Sequence, residues 1–321
     1  MASYPLGRLF LFFVILLFTG CNADTPSPLK VASHEWPGYE PLHLARELKY
    51  YDEKLIQVYE VASATSAIRA FRNGYIEVAA LTLDEVLLLL QDNIPIKILL
   101  ILDVSKGADA ILAHAPLSTL NDLKGKRIGV ESMALGAYML SRALDFSQLE
   151  KSQIEPVYVP FNKQESAFLK HEIDALVTFE PIKGKLIAKG ANVLMDSTQL
   201  PNEIVDVLVI HAKALQEKPQ AVKSLITGWF QALQYIQNQK QDAAERIARR
   251  IDSTPEDFLA SLATIELPDK ATNLQLLSGR PPALKNTCQR LAQVMLDHSL
   301  LVHAVQVDEL FAPDIQSYFV P

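Results

Sequence analysis

The sequence predicts an α/β fold, and two observations carry that prediction. Short apolar runs of strand length alternate with helix-like stretches from about residue 29 to residue 211, as in proteins whose buried parallel strands are covered by helices on both faces. From Pro219 onward the chain is mainly helical, because apolar residues recur at the 3.6-residue spacing of a helix with one buried face.

Composition excludes several classes of protein. The 321 residues are 49% apolar, which is enough for two ordinary domains and a large core. The net charge of −7 argues against a nucleic-acid binder, which needs a basic face to neutralise phosphates. No run of 18 apolar residues is present, so the chain is not a multi-span membrane protein.

The N-terminus has the features of an export signal. Arg8 precedes an unbroken apolar run over residues 9–18, and small residues follow it. Residues 1–20 are therefore predicted to be a signal peptide and residues 21–28 a polar linker. The segment 18–21 resembles the bacterial lipoprotein processing site, with Phe18 where Leu is usual, so Cys21 is the expected lipidation site. A disulfide from Cys21 to Cys288 stays open as the alternative.

The elements of the mature chain follow in order. Strands are predicted at 29–33, 56–61, 76–81, 96–102, 127–130, 156–159, 173–179, 191–194 and 205–211. Helices are predicted between them at 41–49, 65–73, 84–91, 118–123, from 136 to 144, 163–170 and 181–189. In the tail, helices are expected at 219–236, 242–251 and 284–298, with another that Thr254 caps and Pro255 begins.

Polar and aromatic residues follow most of these strands, at the sheet edge where open α/β folds bind ligands. Each also has a structural interpretation: a threonine or aspartate caps a helix, a glycine makes a tight turn, and a tryptophan fills a core. Several such loops converging on one edge favour a ligand cleft. The candidate ligand-binding residues are Glu35, Trp36, Tyr39, Ser63, Thr65, Thr82, Asp84, Asp109, Ser132, Gly136, Tyr138 and Glu180.

Signatures of catalysis and of cofactors are missing from the sequence. It has no phosphate-binding loop, no dinucleotide fingerprint, no nucleophile elbow and no zinc-protease motif. The seven histidines are scattered. We therefore expect no catalytic residues, no cofactor and no metal site.

Several segments resemble a family of exported receptors. They are Trp36–Pro41, Asn73–Ala79, Leu81–Glu85, Gly107–Ile111, Asp122–Lys126 with Ile128–Glu131, Gly136–Met139 and Phe179–Pro181. The chain resembles the periplasmic substrate-binding proteins of ABC importers, in the branch for nitrate, sulfonates, taurine and thiamine-pyrimidine precursors. The resemblance covers residues 29 to about 215 well and the helical tail loosely.

This resemblance implies a type II periplasmic-binding-protein fold with two βα lobes, a two-segment hinge and a helical C-terminal tail. Residues 29–112 and 206–321 would form lobe 1, and residues 113–205 would form lobe 2. The chain would cross between lobes near residues 111–112 and 205–209. Closure of the hinge around a ligand is the expected motion.

The candidate residues favour a nitrogen-bearing ligand. Glu35, Asp84, Asp109, Glu131 and Glu180 lie near the predicted rim, and Lys106 is the one basic residue among these loops. That balance suits an amine or a ring N–H, so a pyrimidine-like or amine ligand is favoured over a sulfonate. Aromatic residues at 36, 39 and 138 could stack on a planar or cationic group.

Three functions are compatible with the resemblance. The first is a lipid-anchored, monomeric periplasmic receptor that delivers its ligand to an ABC permease and ATPase. The second is a periplasmic subunit that reports its ligand to a membrane signalling protein. The third is an enzyme like thiamine-pyrimidine synthase, which is disfavoured because the chain has one cysteine beyond the predicted signal and processing site and no cysteine-rich stretch.

Overall fold

The chain builds two separate β-sheets. The computed structural model describes residues 27–131 and 134–320, so the predicted signal peptide, Cys21 and Ser132 lie outside the described residues. We call the first sheet with the helices packed on it the first lobe, and the second sheet with its helices the second lobe.

The first lobe contains a six-stranded sheet. In spatial order its strands are β11 (Ile265–Glu266), β4 (Ile96–Ser105), β10 (Val205–His211), β3 (Val78–Thr82), β1 (Leu29–Ser33) and β2 (Ile56–Glu60). Strand β1 runs parallel to β2 and β3, whereas β10 runs antiparallel to β3 and β4. Strand β10 runs against its neighbours because it enters the sheet from the other lobe.

The second lobe contains a five-stranded sheet of the same kind. In spatial order its strands are β7 (Glu155–Tyr158), β6 (Arg127–Val130), β8 (Ala175–Phe179), β5 (Asp109–Ala113) and β9 (Asn192–Asp196). Strand β6 is parallel to β7 and β8, and β5 is antiparallel to both of its neighbours. Strand β5 is again the one that arrives from the opposite lobe.

Helices cover the sheets, as the apolar periodicity predicts. Those in the described residues are α1 (Glu40–Glu47), α2 (Ala64–Arg72), α3 (Leu83–Gln91), α4 (Ala134–Ser147), α5 (Gln164–Leu169), α6 (Ile182–Ala188), α7 (Ala212–Glu217), α8 (Pro219–Asn238), α9 (Lys240–Arg250), α10 (Pro255–Leu262), α11 (Lys270–Leu277) and α12 (Leu284–Asp297). Within residues 27–131 and 134–320, none of them combines the length and apolar character that crossing a membrane requires.

The chain crosses between the lobes at residues 106–108 and 197–204. The first crossing precedes the predicted segment 111–112, because residues 109–113 already pair with both β8 and β9. Gly107 has a φ of +110°, which allows the turn between β4 and β5. The crossings are tied together, since Ser197 Oγ lies 2.7 Å from Ser105 Oγ and accepts a 2.6 Å hydrogen bond from Gly107 N.

The helical tail packs on the first lobe. Trp229 in α8 and Cys288 in α12 belong to the same buried apolar cluster as the first sheet, while the second sheet has two smaller clusters, one on each face. The tail also reaches the second lobe, because His298 Nε2 lies 3.1 Å from an Asp145 carboxylate oxygen. The helices after β10 therefore enlarge one lobe and border the junction with the other.

Candidate functional site

A cleft of about 580 Å³, a volume that includes space open to solvent, lies between the two lobes. It is bordered by the carboxyl ends of β1, β3 and β8 and by the start of β5, where ligands bind in open α/β sheets. Its lining residues are His34, Trp36, Tyr39, Ala64, Thr82, Glu85, Asp109, Glu131, Leu135, Gly136, Met139, Gln164, Val177, Thr178, Phe179 and Asp206.

One wall of the cleft is aromatic. Trp36 and Phe179, from different lobes, meet edge to face with ring centroids 5.6 Å apart. Phe161 stacks on Phe179 at 4.8 Å, and His34 packs edge-on against Tyr39 at 5.1 Å. This wall offers ring faces and edges to a planar ligand.

The floor of the cleft is acidic. Asp103 on β4 and Asp206 on β10 are register partners on neighbouring strands, and both are buried. Trp36 Nε1 donates a 2.9 Å hydrogen bond to Asp103 Oδ2, and the Tyr39 hydroxyl donates to Asp206 Oδ1. Burial raises the pKa of Asp103, and burial together with the neighbouring Asp103 raises the pKa of Asp206.

Gly38 makes this arrangement possible. A Cβ at this position would lie 1.9 Å from Asp103 Oδ2 and 2.6 Å from Trp36 Nε1. Residues 37–39 form a short 3₁₀ helix directly after β1. Only a residue without a side chain lets this turn approach the acidic floor closely enough for the tryptophan and the tyrosine to donate their hydrogen bonds.

A second acidic group comes from the start of α3. Glu85 Oε2 accepts a 3.1 Å hydrogen bond from Thr82 N and so caps the helix. Burial, followed by the charge of the adjacent Asp84, raises the pKa of Glu85 well above its usual range. Burial also raises the pKa of Asp84 to about 6.

The second lobe contributes both carboxyl and neutral polar groups. Asp109, at the start of β5, is 1% exposed, and its Oδ2 has no hydrogen-bond partner among the described residues. Burial raises the pKa of Asp109 to about 7. Thr178 Oγ1 donates a 2.7 Å hydrogen bond to Gln164 Oε1. Glu131 bridges the lobes, since its Oε1 accepts a 3.3 Å hydrogen bond from Thr65 Oγ1.

The cleft therefore accepts hydrogen bonds and positive charge. Among the described residues that line it there is no Lys or Arg. Lys183 approaches from α6, but its Nζ lies 3.3 Å from Glu180 Oε1. His34 is neutral near pH 7, because burial lowers its pKa to about 4. In the described part of the chain, no group of three or more His, Cys, Asp or Glu residues is arranged to hold a metal ion.

The sequence profile of the NMT1-like family matches residues 22–252, more than two thirds of the chain. The chain belongs to the NMT1-like family. This membership and the relatives below confirm the resemblance stated from the sequence.

Relatives of this NMT1-like protein include exported binding proteins. It is 26% identical over 180 residues to the taurine-binding periplasmic protein of Escherichia coli (strain K12), and the match covers 55% of this chain and 56% of that protein. The chain thus matches little more than half the length of that relative.

Solved structures confirm the predicted periplasmic-binding-protein fold. The alkanesulfonate-binding protein SsuA from Xanthomonas axonopodis pv. citri, bound to MOPS, has a TM-score of 0.74 and 19% identity, over 88% of this chain and 96% of that chain. The desulfurization enzyme DSZB has a TM-score of 0.66 and 16% identity, over 90% and 98%. The fold is therefore shared by proteins with different activities.

In this NMT1-like protein, five of the residues predicted from the sequence line the cleft. They are Trp36, Tyr39, Thr82, Asp109 and Gly136. A Cβ on Gly136 would lie 2.8 Å from Val130 Cγ2, so this glycine lets α4 start close to β6. The role of these residues in binding a ligand stays a prediction.

Other predicted residues take structural partners. Ser63 caps α2, with its Oγ 3.3 Å from Ser66 N. The Tyr138 hydroxyl donates a 2.5 Å hydrogen bond to Glu203 Oε2, and its ring belongs to the apolar cluster of the first lobe. Glu180 accepts hydrogen bonds from Gly184 N at 3.0 Å and from Lys183, and its Oε2 lies 3.5 Å from Ser261 Oγ.

Two more predicted residues lie beside the cleft rather than in its lining. Glu35 borders a neighbouring depression of about 270 Å³ on the far side of Trp36. Asp84 is buried, and its Oδ2 has no hydrogen-bond partner among the described residues. Glu85, rather than its neighbour Asp84, is the α3 carboxylate in the lining, because the capping geometry of Glu85 directs it back toward Thr82.

Sequence reasoning missed several lining residues. His34, Glu85, Gln164, Phe179 and Asp206 were not among the candidates. One signal for Asp206 existed: a single carboxylate interrupts the apolar strand Val205–His211, and a buried charge in a core strand needs a partner or a function. Glu85 stands three residues after Thr82, at the spacing of a capping box, and His34 directly follows the first predicted strand. Gln164 and Phe179 carry no comparable local signal.

Proposed function

We propose that this chain is the solute-binding component of an ABC importer and that it captures a small nitrogen-bearing organic molecule, pyrimidine-like or amine, in the cleft. Two lobes that share a cleft and two crossing segments support a receptor that closes on its ligand. The periplasmic binding protein among its relatives supports the same role.

The charge of the cleft carries the choice of ligand. Asp103, Asp109 and Asp206 are buried in or beneath it, together with Glu85, and no Lys or Arg is in the described lining. Two like charges about 4 Å apart repel by about 4 kcal/mol at an effective dielectric constant of about 20. A sulfonate or a nitrate placed here would meet this repulsion from each carboxyl group that is ionised and would find no Lys or Arg in the described lining, whereas an N–H donor or an ammonium group would satisfy the unpartnered carboxyl oxygens.

Binding without conversion is part of the proposal. The described cysteine, Cys288, is buried in α12, and burial raises the pKa of its thiol to about 12. A thiol in that state is a poor nucleophile. We therefore expect this protein to release its ligand chemically unchanged, although the desulfurization enzyme DSZB has a similar fold.

Export and anchoring complete the proposal. The apolar run at residues 9–18 and the processing site ending at Cys21 support a periplasmic lipoprotein held at a membrane by its lipid. The partners are then a permease and an ATPase. A membrane signalling protein would be the partner if the same receptor served sensing.

The experiment is to identify what the native protein carries. Full-length protein is purified without denaturant and small molecules are released and analysed by mass spectrometry. A nitrogen-bearing molecule that returns unchanged after incubation and raises the melting temperature supports the proposal. A co-purifying sulfonate, or a melting temperature raised by taurine and by no amine, contradicts the choice of ligand.

A further inference from the structure

We propose that the cleft takes its ligand as a cation and that this cation displaces a proton held between Asp103 and Asp206. The inference deepens the proposed function and rests on it. It assigns the charge state of the ligand and a proton exchange that accompanies binding.

The geometry of the two carboxyl groups is the first step. Asp103 and Asp206 stand directly opposite each other on β4 and β10, with exposures of 0% and 2%. Register partners on neighbouring antiparallel strands place their side chains next to each other on one face of the sheet, and two buried carboxyl groups that close together cannot both ionise without a positive partner. The pair therefore holds one proton when the cleft is empty.

The donors around the pair are neutral. Trp36 donates to Asp103 and Tyr39 donates to Asp206, and neither carries a positive charge. Asp103 Oδ1 is buried and accepts no N–H or hydroxyl hydrogen bond from the described residues. If both carboxyl groups were ionised, two buried negative charges would lie together without a positive partner. That state is far less stable than one in which the pair keeps one proton.

The charged groups on the surrounding elements reinforce this state. Those that face the pair or the cleft are His34 and Tyr39 after β1, Asp84 and Glu85 on α3, Asp109 on β5, Glu131 after β6, and Glu180 with Lys183 at α6. His34 is neutral near pH 7, since burial lowers its pKa to about 4. Lys183 forms a salt bridge with Glu180, so its positive charge is already paired. The remaining titratable groups are acidic.

Exchange then keeps the charge of the buried site constant. A cation enters beside the carboxyl pair, the shared proton leaves to solvent, and the positive charge of the ligand pairs with the carboxylate that has lost the proton. Because binding needs the deprotonated pair, affinity rises with pH up to the pKa of the pair and then levels off. For one proton the slope below that pKa is about tenfold in affinity per pH unit.

The first measurement needs no ligand. The chain has two tryptophans, and Trp36 contacts Asp103 directly while Trp229 is buried in α8. Tryptophan fluorescence of ligand-free wild-type protein is titrated beside Asp103→Asn, Asp206→Asn and the exposed control Asp252→Asn. The shared proton is supported if the fluorescence of wild type changes at a pH more than one unit above the ordinary aspartate pKa of about 3.9. This transition should be absent from the first two variants and present in the control.

The second measurement uses matched probes on the wild-type protein. Benzamidine and benzylamine are planar-ringed cations, benzamide and benzyl alcohol are their neutral counterparts, and benzenesulfonate is the anion. Calorimetry is run in two buffers of different ionisation enthalpy, at a pH below the transition found in the first measurement. It should show release of about one proton per benzamidine or benzylamine bound. Affinity for the cations should exceed affinity for the neutral counterparts by at least about tenfold and should rise with pH.

The outcomes separate the two proposals. Cation binding with no proton release and no pH dependence overturns the exchange and leaves the amine-binding function intact. Tighter binding of benzamide or benzenesulfonate than of benzamidine overturns the cationic ligand and with it the exchange. A titration without the high-pH transition in wild-type protein overturns the shared proton whatever the ligand is, and it needs no variant to fold.

Discussion

Replacing Asp109 with asparagine should stabilise the ligand-free protein at high pH and leave it nearly unchanged at low pH. Asp109 is 1% exposed, its Oδ2 has no hydrogen-bond partner among the described residues, and burial raises its pKa to about 7. Asparagine has almost the same shape and stays neutral. The variant therefore removes the cost of ionising this buried group and little else.

The magnitude follows from the difference between folded and unfolded states. An aspartate in an unfolded chain has a pKa of about 3.9. A folded pKa raised to about 7 is higher by roughly 3 pH units, which corresponds to about 4 kcal/mol. Because the pKa of Asp109 is higher in the folded state, the contribution of this group to the free energy of unfolding is fully present below about pH 4. That contribution is lost as the pH rises through about 7.

Between about pH 5 and pH 8, wild type should lose about 2.5 kcal/mol through this one group. Asp109→Asn should lack that loss. Because the unfolding entropy of a chain of this length is about 0.6 kcal/mol/K, the difference in melting temperature between variant and wild type should be ~4 °C larger at pH 8 than at pH 5. The assay is thermal unfolding, followed by circular dichroism, of protein freed of ligand by unfolding and refolding. The exposed variant Asp252→Asn is the matched control and should give the same difference at both pH values.

Two results would refute the reasoning. If Asp109→Asn differs from wild type by the same amount at both pH values, the carboxyl group does not titrate in this range. If it is less stable than wild type at pH 8, the ionised carboxylate has a stabilising partner that the described contacts do not include.

Three further changes probe other parts of the molecule. Gly38→Ala should lower the free energy of unfolding by about 1–3 kcal/mol in urea denaturation, because its Cβ would overlap Asp103 Oδ2. Unchanged stability would mean that residues 37–39 can move away from the acidic floor of the cleft. Tyr138→Phe removes the hydroxyl that donates to Glu203, so it should lower the free energy of unfolding by about 1 kcal/mol and leave ligand affinity unchanged. A large loss of affinity would instead place the tyrosine in the binding site. Cys21→Ala should abolish incorporation of labelled fatty acid in cells, and equal labelling of both proteins would exclude lipidation at this residue.

Local structure was largely predictable. The strand at residues 29–33 and the helix that Thr254 caps lie where hydrophobic periodicity and capping residues predicted them. The first crossing was misplaced, because Asp109–Ala113 is a continuous buried strand whose partners β8 and β9 lie more than 50 residues further along the chain. Apolar strands that leave one sheet and enter the next look alike in sequence.

The candidate site was predictable only in part. Trp36, Tyr39 and Asp109 follow or begin strands at the ligand-binding edge, and position alone was enough to select them. Asp84 was selected rather than its neighbour Glu85, although Glu85 stands three residues after Thr82, at the spacing of a capping box. The hydrogen bond from Thr82 N to Glu85 forms once the helix has begun, and it directs Glu85 rather than Asp84 toward the cleft.

What the sequence by itself determined is therefore local and periodic: the alternation of strands and helices, the helical tail and the acidic character of the loops at the sheet edge. Only the tertiary structure decided which carboxyl groups meet. Asp103 and Asp206 are about a hundred positions apart and become neighbours because β10 returns from the second lobe and pairs antiparallel with β4. The energy of a buried charge depends on the groups within a few ångströms of it, and those neighbours exist only once the two strands have paired.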